Sequence, residues 1–207
     1  MTPQEYKAYA KEKIGTQSGL LIGMCVINSI IILACDAIFA PLSLIVTGPL
    51  TLGLAIVSLR VLDGEVLALQ DMFAGFYNFG NALLLHILNS LFITLWSLLL
   101  VVPGIVKAYA YSMSTYILAE NPDITATEAR QRSIDIMKGN KMMLFKIHLT
   151  YIGWFLLSIF TLGIPLFFIM PQIQVATAAF YLDLTAGTSH IEYDNNPYIE
   201  TNQDNIF

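Results

Sequence analysis

The chain has 207 residues, of which 56% are hydrophobic and 12% are charged, and its mean hydropathy is +0.66. A chain of this length cannot bury so much apolar surface in one water-soluble core, so the composition excludes an ordinary soluble domain and indicates an integral membrane protein. The formal net charge of -5 gives no general attraction to nucleic acid, and no nucleic-acid partner is predicted.

The first residues are typical of a helix start. Thr2 offers an N-cap hydroxyl, Pro3 suits the first helical position, and Glu5 completes a capping box. We predict a short amphipathic helix over residues 3–14, within a cytoplasmic N-terminal segment of residues 1–19. Such a helix suits a headgroup surface, and a solvated, frayed terminus is the alternative. The apolar face of this helix comprises Tyr6, Ala10 and Ile14.

Apolar segments of membrane-spanning length follow, since a helical span needs about 20 residues. They predict an all-α fold, a polytopic membrane helix bundle of about six transmembrane helices with short amphipathic interfacial helices, in one domain of residues 20–184. The predicted spans are residues 20–38, 42–62, 82–102, 105–119, 143–162 and 166–184.

The third and fourth predicted spans meet at Pro103 and Gly104. Proline has no amide hydrogen and glycine tolerates positive φ, so this pair predicts a sharp helical hairpin at a membrane face. The fourth span has only about fifteen residues, which is short for a crossing. Counting it as a crossing keeps the basic segment 130–146 on the same side as the basic N-terminus.

Residues 65–81 lie between spans and follow a different pattern. Val66, Leu69, Phe73 and Phe76 recur at helical spacing, with polar residues elsewhere on the helical wheel. This pattern predicts an interfacial helix rather than a span.

Residues 120–141 form the longest hydrophilic stretch inside the chain. Thr125 and Glu128 form a second capping box, Arg132 follows Glu128 at i,i+4 spacing, and Gly139 suits a C-cap. A small amphipathic helix is therefore predicted here.

The positive-inside rule orients the bundle. With six crossings and a cytoplasmic N-terminus, only Lys107 lies outside. We therefore predict a multi-pass membrane protein with both termini in the cytoplasm and a disordered acidic tail over residues 185–207. The basic residues placed inside are Lys7, Lys11, Lys13, Arg60, Arg130, Arg132, Lys138, Lys141 and Lys146.

A series of short sequence pieces runs in order through the second half of the chain. The pieces are Trp96 in LWSLLLVVPGIVKAYAYSM, Ala119-Glu120-Asn121-Pro122, Ala126-Thr127-Glu128-Ala129 with Ser133, Met137-Lys138-Gly139-Asn140-Lys141, Ile152-Gly153-Trp154, Thr161-Leu162-Gly163-Ile164, Met170-Pro171 and Ala178-Ala179-Phe180-Tyr181.

In these pieces the chain resembles a bacterial family of uncharacterised integral membrane proteins known as domain of unknown function nine-seven-five. The resemblance covers the second half well and the first half loosely. It implies a six-helix bundle and no settled activity. Pro165 and Gln172 depart from the glycine and tyrosine that the family prefers, so the resemblance assigns no role to the start of the sixth span.

Recognisable catalytic patterns are absent from the sequence, which contains no HExxH, GxSxG, P-loop, GxGxxG or CxxC motif. We predict no enzyme activity, no cofactor and no metal site. His148 could approach His86 at a similar depth, but two histidines fall short of the three protein ligands that zinc requires.

Polar residues form one stripe along the third predicted span. Such side chains usually face other helices and hydrogen-bond between them, and a conduction or ligand path is the alternative. The stripe comprises His86, Asn89, Ser90, Thr94 and Ser97.

Lys107 is a cation one turn past the hairpin. It either reaches the headgroups or pairs with Asp36, and binding of an anionic ligand is the alternative. Arg130, Arg132, Lys138 and Lys141 lie against the cytoplasmic leaflet, where anionic lipid attracts them. Lipid contact is the first interpretation of these four residues, and docking of a protein partner is the second.

These observations favour a non-enzymatic membrane protein that binds lipid or a protein partner, with envelope homeostasis as the hypothesis for its role. Two alternatives from other classes remain open: a small transporter or channel component that uses the polar stripe, and an intramembrane lipid-processing enzyme. The sequence does not predict an oligomeric state.

Overall fold

The computed structural model describes residues 1–38, 40–160 and 164–194, and this part of the chain is all-helical. The predicted fold class is confirmed at that level. The helices are α1 (Pro3–Ile14), α2 (Ser18–Ile38), α3 (Ala40–Asp63), α4 (Phe79–Leu99), α5 (Val101–Tyr111), α6 (Ser114–Glu120), α7 (Ala126–Ile136), α8 (Lys141–Leu149), α9 (Ile152–Phe160) and α10 (Ile164–Asp194), with 3-10 helices at Gly15–Gln17 and Leu69–Asn78.

Four helical segments of the described chain are long and apolar enough to cross a membrane. The predicted count of six is not confirmed, because the fourth and fifth predicted spans are each a pair of shorter helices, α5 with α6 and α8 with α9. The four segments are Ser18–Ala37, Ser43–Asp63, Leu69–Leu99 and Pro165–Ala186.

The break between α5 and α6 is stabilised by a side chain from α7. Ser133 Oγ accepts a hydrogen bond of 3.2 Å from the Met113 amide and donates one of 2.8 Å to the Ala110 carbonyl. Ser133 and Met113 are fully buried. An interrupted helix needs such a partner away from water, because unpaired backbone groups there are costly.

The α4–α5 hairpin reverses at Leu100, which is extended with φ -159° and ψ 136°. The predicted turn at Pro103 and Gly104 is wrong, since both residues lie in the first turn of α5. The first amides of a helix have no intrahelical acceptor, so proline is tolerated at this position. Gly104 instead allows close packing, because a Cβ there would overlap Ser97 of α4.

The 3-10 helix Leu69–Asn78 packs directly on α3. A Cβ on Gly75 would overlap the Pro49 carbonyl, and a Cβ on Gly53 would overlap the Met72 carbonyl. The predicted interfacial helix over residues 65–81 is therefore shorter than expected and is wound as a 3-10 helix. Its predicted apolar residues Leu69, Phe73 and Phe76 are exposed.

The N-terminal helix α1 packs against α10, α8 and α3. Both predicted capping-box hydrogen bonds are present at its start. Its predicted apolar face, Tyr6, Ala10 and Ile14, is buried at 5% exposure or less. The helix is thus part of the protein core, which explains its order without a lipid surface.

The last helix extends beyond the predicted end of the sixth span. That span was expected to end at residue 184, but α10 continues as a helix to Asp194. The rest of the predicted acidic tail, residues 195–207, lies outside the described residues.

Candidate functional site

The polar stripe of α4 does not face one common space. His86 and Asn89 turn toward α3 and α6 and line a cavity of about 40 Å³ together with Thr51 and Thr115. A cavity of that volume holds one or a few waters. At the depth of His86 and Asn89, the stripe therefore lines a small polar cavity rather than an open path.

Asn89 carries a hydrogen-bond acceptor that no described residue satisfies. Its Nδ2 donates 2.9 Å to Ser114 Oγ, and Ser114 Oγ donates its single hydrogen to the Tyr111 carbonyl at 2.6 Å. Ser114 therefore has no hydrogen left for Asn89, which settles the orientation of the amide. The buried Asn89 Oδ1 has no partner, and a water in the cavity would supply one.

The other three stripe residues have separate surroundings. Ser90 Oγ donates 2.7 Å to the His86 carbonyl of its own helix. Thr94 is exposed, and Ser97 lies against Gly104 in the hairpin. Of the five stripe residues, only His86 and Asn89 therefore line the same space in the part of the chain that the structure describes.

His148 lies apart from His86. Its Nδ1 is 3.1 Å from the Tyr109 hydroxyl and its Nε2 is 3.5 Å from Thr177 Oγ1. These contacts join α8 to α5 and α10. The described residues contain no group of three His, Cys, Asp or Glu side chains able to hold a metal ion.

Lys107 and Arg130 both lie over aromatic rings of α4. Lys107 Nζ is 5.0 Å from the centroid of the Trp96 ring. Arg130 Cζ is 4.1 Å from the centroid of the Phe92 ring and 5.4 Å from that of Tyr111. Within the described chain, neither cation has an ion pair, so the suggested pair of Lys107 with Asp36 is not formed.

The remaining basic candidates are placed differently from Arg130. Arg132 Nη2 is 2.7 Å from Glu128 Oε1, which confirms the predicted i,i+4 pair. Lys138 Nζ is 2.7 Å from Asp135 Oδ1, and this hydrogen bond lowers the pKa of the Asp135 carboxyl. Lys141 is half-buried at the start of α8. The water-facing charges of α7 are thus neutralised locally, whereas Arg130 is not.

A larger cavity, which the sequence did not predict, lies among α2, α3 and α10. Its volume is about 370 Å³, within the range of small-molecule sites. Its lining is mostly apolar, and all three helices contribute to candidate membrane spans. The described residues that line it are Cys25, Asn28, Ser29, Leu54, Leu166, Phe167, Met170 and Gln174.

The side-chain oxygen of Asn28, a residue of this cavity, is buried and accepts no hydrogen bond from the described residues. Ser29 Oγ, by contrast, donates 2.8 Å to the Cys25 carbonyl. The wall is thus mostly apolar, with polar side chains at Asn28, Ser29 and Gln174. A ligand hydroxyl or amide that reached Asn28 Oδ1 would satisfy it. A single Asn in the middle of the apolar α2 segment was the available sequence signal.

The second half of the chain matches a known family model. Residues 98–188 match the family described as "Protein of unknown function (DUF975)", which confirms the resemblance over that region. No curated protein and no solved structure gives a significant match to the chain.

Proposed function

We propose that the protein is a non-enzymatic membrane protein that binds lipid in the cavity among α2, α3 and α10. The observation that supports this most directly is a mostly apolar cavity of about 370 Å³ between segments of membrane-spanning character. The solvent around such helices is lipid, so acyl chains are the ligands at highest local concentration. In a water-soluble protein, a cavity of this kind would not indicate a lipid ligand.

The unpaired Asn28 oxygen defines the polar part of the ligand. An acceptor buried without a partner costs about 1–3 kcal/mol, which a donor on the ligand recovers. Asn28 lies near the middle of α2, so the donor belongs at depth rather than at the headgroup surface. We propose a lipid with an acyl chain and a hydroxyl or amide N–H as the occupant.

The protein belongs, in this proposal, to the bacterial cytoplasmic membrane with both termini in the cytoplasm. The positions of the basic residues support this orientation. A lipid-binding protein there is compatible with a role in envelope homeostasis. A protein partner at the cytoplasmic face remains the second hypothesis for the basic residues, and no described contact favours the transporter or the enzyme.

A photoreactive fatty acid tests the cavity. Ser29→Phe should fill it and lower crosslinking to α2 and α10 several-fold. Ser90→Phe is the matched control, because Ser90 is also a helical serine bonded to the carbonyl four residues back but does not line this cavity. Equal crosslinking of both variants and the unmodified protein would contradict the proposal.

A further inference from the structure

The polar helix α7 lies along the first half of α4. The Asn78 side chain, at the start of α4, donates 2.8 Å to the Pro122 carbonyl just before α7. Farther along, Arg130 of α7 reaches Phe92 of α4, and Ser133 reaches Ala110 of α5. The segment from Pro122 to Arg130, which includes the first half of α7, therefore contacts α4 both at its start and near Phe92.

The outer face of α7 has to meet water. Its buried side consists of Ala126, Ala129 and Ser133. A charged side chain in the middle of a span costs about 2.5–3.5 kcal/mol, so several together exclude a position in hydrocarbon. The exposed residues of the helix are Thr127, Glu128, Gln131, Arg132 and Asp135.

The part of the hairpin that extends beyond α7 is too short to cross a bilayer. From Phe92 to Leu99 the helix rises about 11 Å, and from Val101 to Tyr111 about 15 Å. The hydrocarbon core is about 30 Å thick. Although Leu69–Leu99 is long enough to span by length and composition, its first half lies beside a helix that meets water.

The tip of this hairpin is apolar and unusually exposed. No element of the described chain covers it, and such a surface requires lipid around it. The tip residues Leu98, Leu99, Leu100, Val101 and Val102 are 63–85% exposed.

Arg130 and Lys107, neither of which has an ion pair among the described residues, lie at the base of the tip on successive turns. Phe92, under Arg130, and Trp96, under Lys107, are four residues apart on α4. The Nη1 of Arg130 is buried and has no acceptor within residues 1–38, 40–160 and 164–194. The sequence interpretation placed Arg130 and Lys107 on opposite sides of the membrane, whereas here they stack on neighbouring rings of one helix. Phosphate oxygens are the acceptors that a guanidinium prefers.

We propose that the α4–α5 hairpin is a re-entrant anchor that enters and leaves the cytoplasmic leaflet from the same side, with Arg130 and Lys107 binding the phosphate of an anionic lipid at its base. The crossings before α7 are then α2 and α3, and both termini stay in the cytoplasm because Asp183, near the end of the Pro165–Ala186 segment of α10, bonds to Tyr6 of α1. Lys107 joins the other basic residues, so all ten Lys and Arg lie inside.

Cysteine labelling tests the depth of the tip. In a background with Cys25 and Cys35 replaced by alanine, Leu100→Cys should not react with a membrane-impermeant maleimide added to intact cells. Asp36→Cys should react, because Asp36 lies near the end of α2 that this arrangement places outside the cell. Labelling of Leu100→Cys from outside would overturn the proposal.

A second measurement on reconstituted protein does not depend on Asp36. A fluorophore attached to Leu100→Cys should be quenched by doxyl-labelled acyl chains and protected from aqueous iodide. A hairpin that crosses the bilayer brings Leu100 to the outer surface, where iodide would quench the fluorophore, and that result overturns the re-entrant arrangement.

The phosphate site is tested by lipid retention. The double variant Arg130→Gln, Lys107→Gln should lose preference for phosphatidylglycerol over phosphatidylcholine in native mass spectrometry, by about 30-fold if each cation contributes the usual amount. Arg132→Gln with Lys138→Gln removes two cations that are already paired and should change little. An equal loss in both double variants, or no loss in the first, contradicts the site. These outcomes are independent of the cavity among α2, α3 and α10.

Discussion

The Tyr6 hydroxyl donates a 2.5 Å hydrogen bond to Asp183 Oδ2, joining residues 177 positions apart. Tyr6 also packs edge-on against Phe180, with ring centroids 5.6 Å apart. On the same helix, Lys7 Nζ donates to the Thr150 carbonyl at 3.2 Å, at the break between α8 and α9. The N-terminal helix thus stabilises both the last helix and an interruption in the preceding pair.

Removing the Tyr6 hydroxyl should loosen this contact. Tyr6→Phe keeps the ring and loses a hydrogen bond to a partly exposed carboxylate, so the free energy of unfolding should fall by about 1–2 kcal/mol. Unfolding in mixed detergent micelles measures it. Tyr9→Phe is the control, because the Tyr9 hydroxyl has no hydrogen-bond partner among the described residues. An equal loss in both variants would show that the bond to Asp183 contributes nothing.

The hydrogen bond between Tyr6 and Asp183 also predicts that the free energy of unfolding depends on pH in the alkaline range. Burial, followed by the hydrogen bond to Asp183, raises the pKa of Tyr6 above its ordinary value of 10.0. The folded state favours the protonated Tyr6 hydroxyl, so this group contributes its full stabilisation below pH 10. The stabilisation decreases as the pH rises toward the pKa of Tyr6 in the folded state. The free energy of unfolding should therefore fall between about pH 10 and 11. Tyr6→Phe should show a shallower fall over that interval, and an unchanged slope would refute the assignment.

Ser133 should be sensitive to loss of its hydroxyl. Ser133→Ala leaves the Met113 amide and the Ala110 carbonyl unpaired in a buried position. We expect a destabilisation of about 2–4 kcal/mol from the two groups. Ser112→Ala, which removes only a hydrogen bond to the Tyr109 carbonyl, should cost less than half as much in the same unfolding assay. Similar costs would mean that the α5–α6 break does not depend on α7.

The contact between the 3-10 helix and α3 should not tolerate a methyl group. Gly75→Ala would overlap backbone atoms of α3, which have little freedom to move, so a loss of several kcal/mol or failure to assemble is expected. Gly80→Ala, at a helical position with no atom within 4 Å of the added Cβ, should instead stabilise by about 0.5–1 kcal/mol. Expression level and unfolding distinguish the two. A stable Gly75→Ala protein would disprove the close approach.

The Asn28 amide should be unfavourable in the unliganded protein. Asn28→Leu removes a buried unpaired acceptor, so delipidated protein should become more stable by about 1 kcal/mol or more. Asn81→Leu should have the opposite sign, because Asn81 Nδ2 donates to Asn78 Oδ1. If Asn28→Leu destabilises the delipidated protein, the oxygen has a partner there and the cavity argument is weakened.

Signals that act within a few residues were predictable from the sequence. Thr2 with Glu5 forms the predicted capping box, because a cap depends on the next turn only. At Thr125 only the bond from the Glu128 amide is formed, since the Glu128 carboxylate pairs with Arg132 instead. Gly139 has a positive φ of 80°, but it lies two residues beyond Met137, which is the C-cap of α7. The apolar face of α1 was also correct, since helical periodicity is local.

Features that depend on distant partners were not predictable. Pro103 is compatible with a turn and with the first turn of a helix, and the packing of Gly104 against Ser97 decides between them. The interruption at Met113 depends on Ser133, twenty residues away. Arg130 belongs by pattern to the polar face of a surface helix, and only the fold places its guanidinium over Phe92.

The docking of α1 also has a consequence for biogenesis. The ribosome makes this helix well before its partners Thr150, Phe180 and Asp183. Until those residues have been synthesised, Tyr6 and Lys7 lack the surface they pack against. A product terminated before Thr150 would therefore present this helix undocked to proteases.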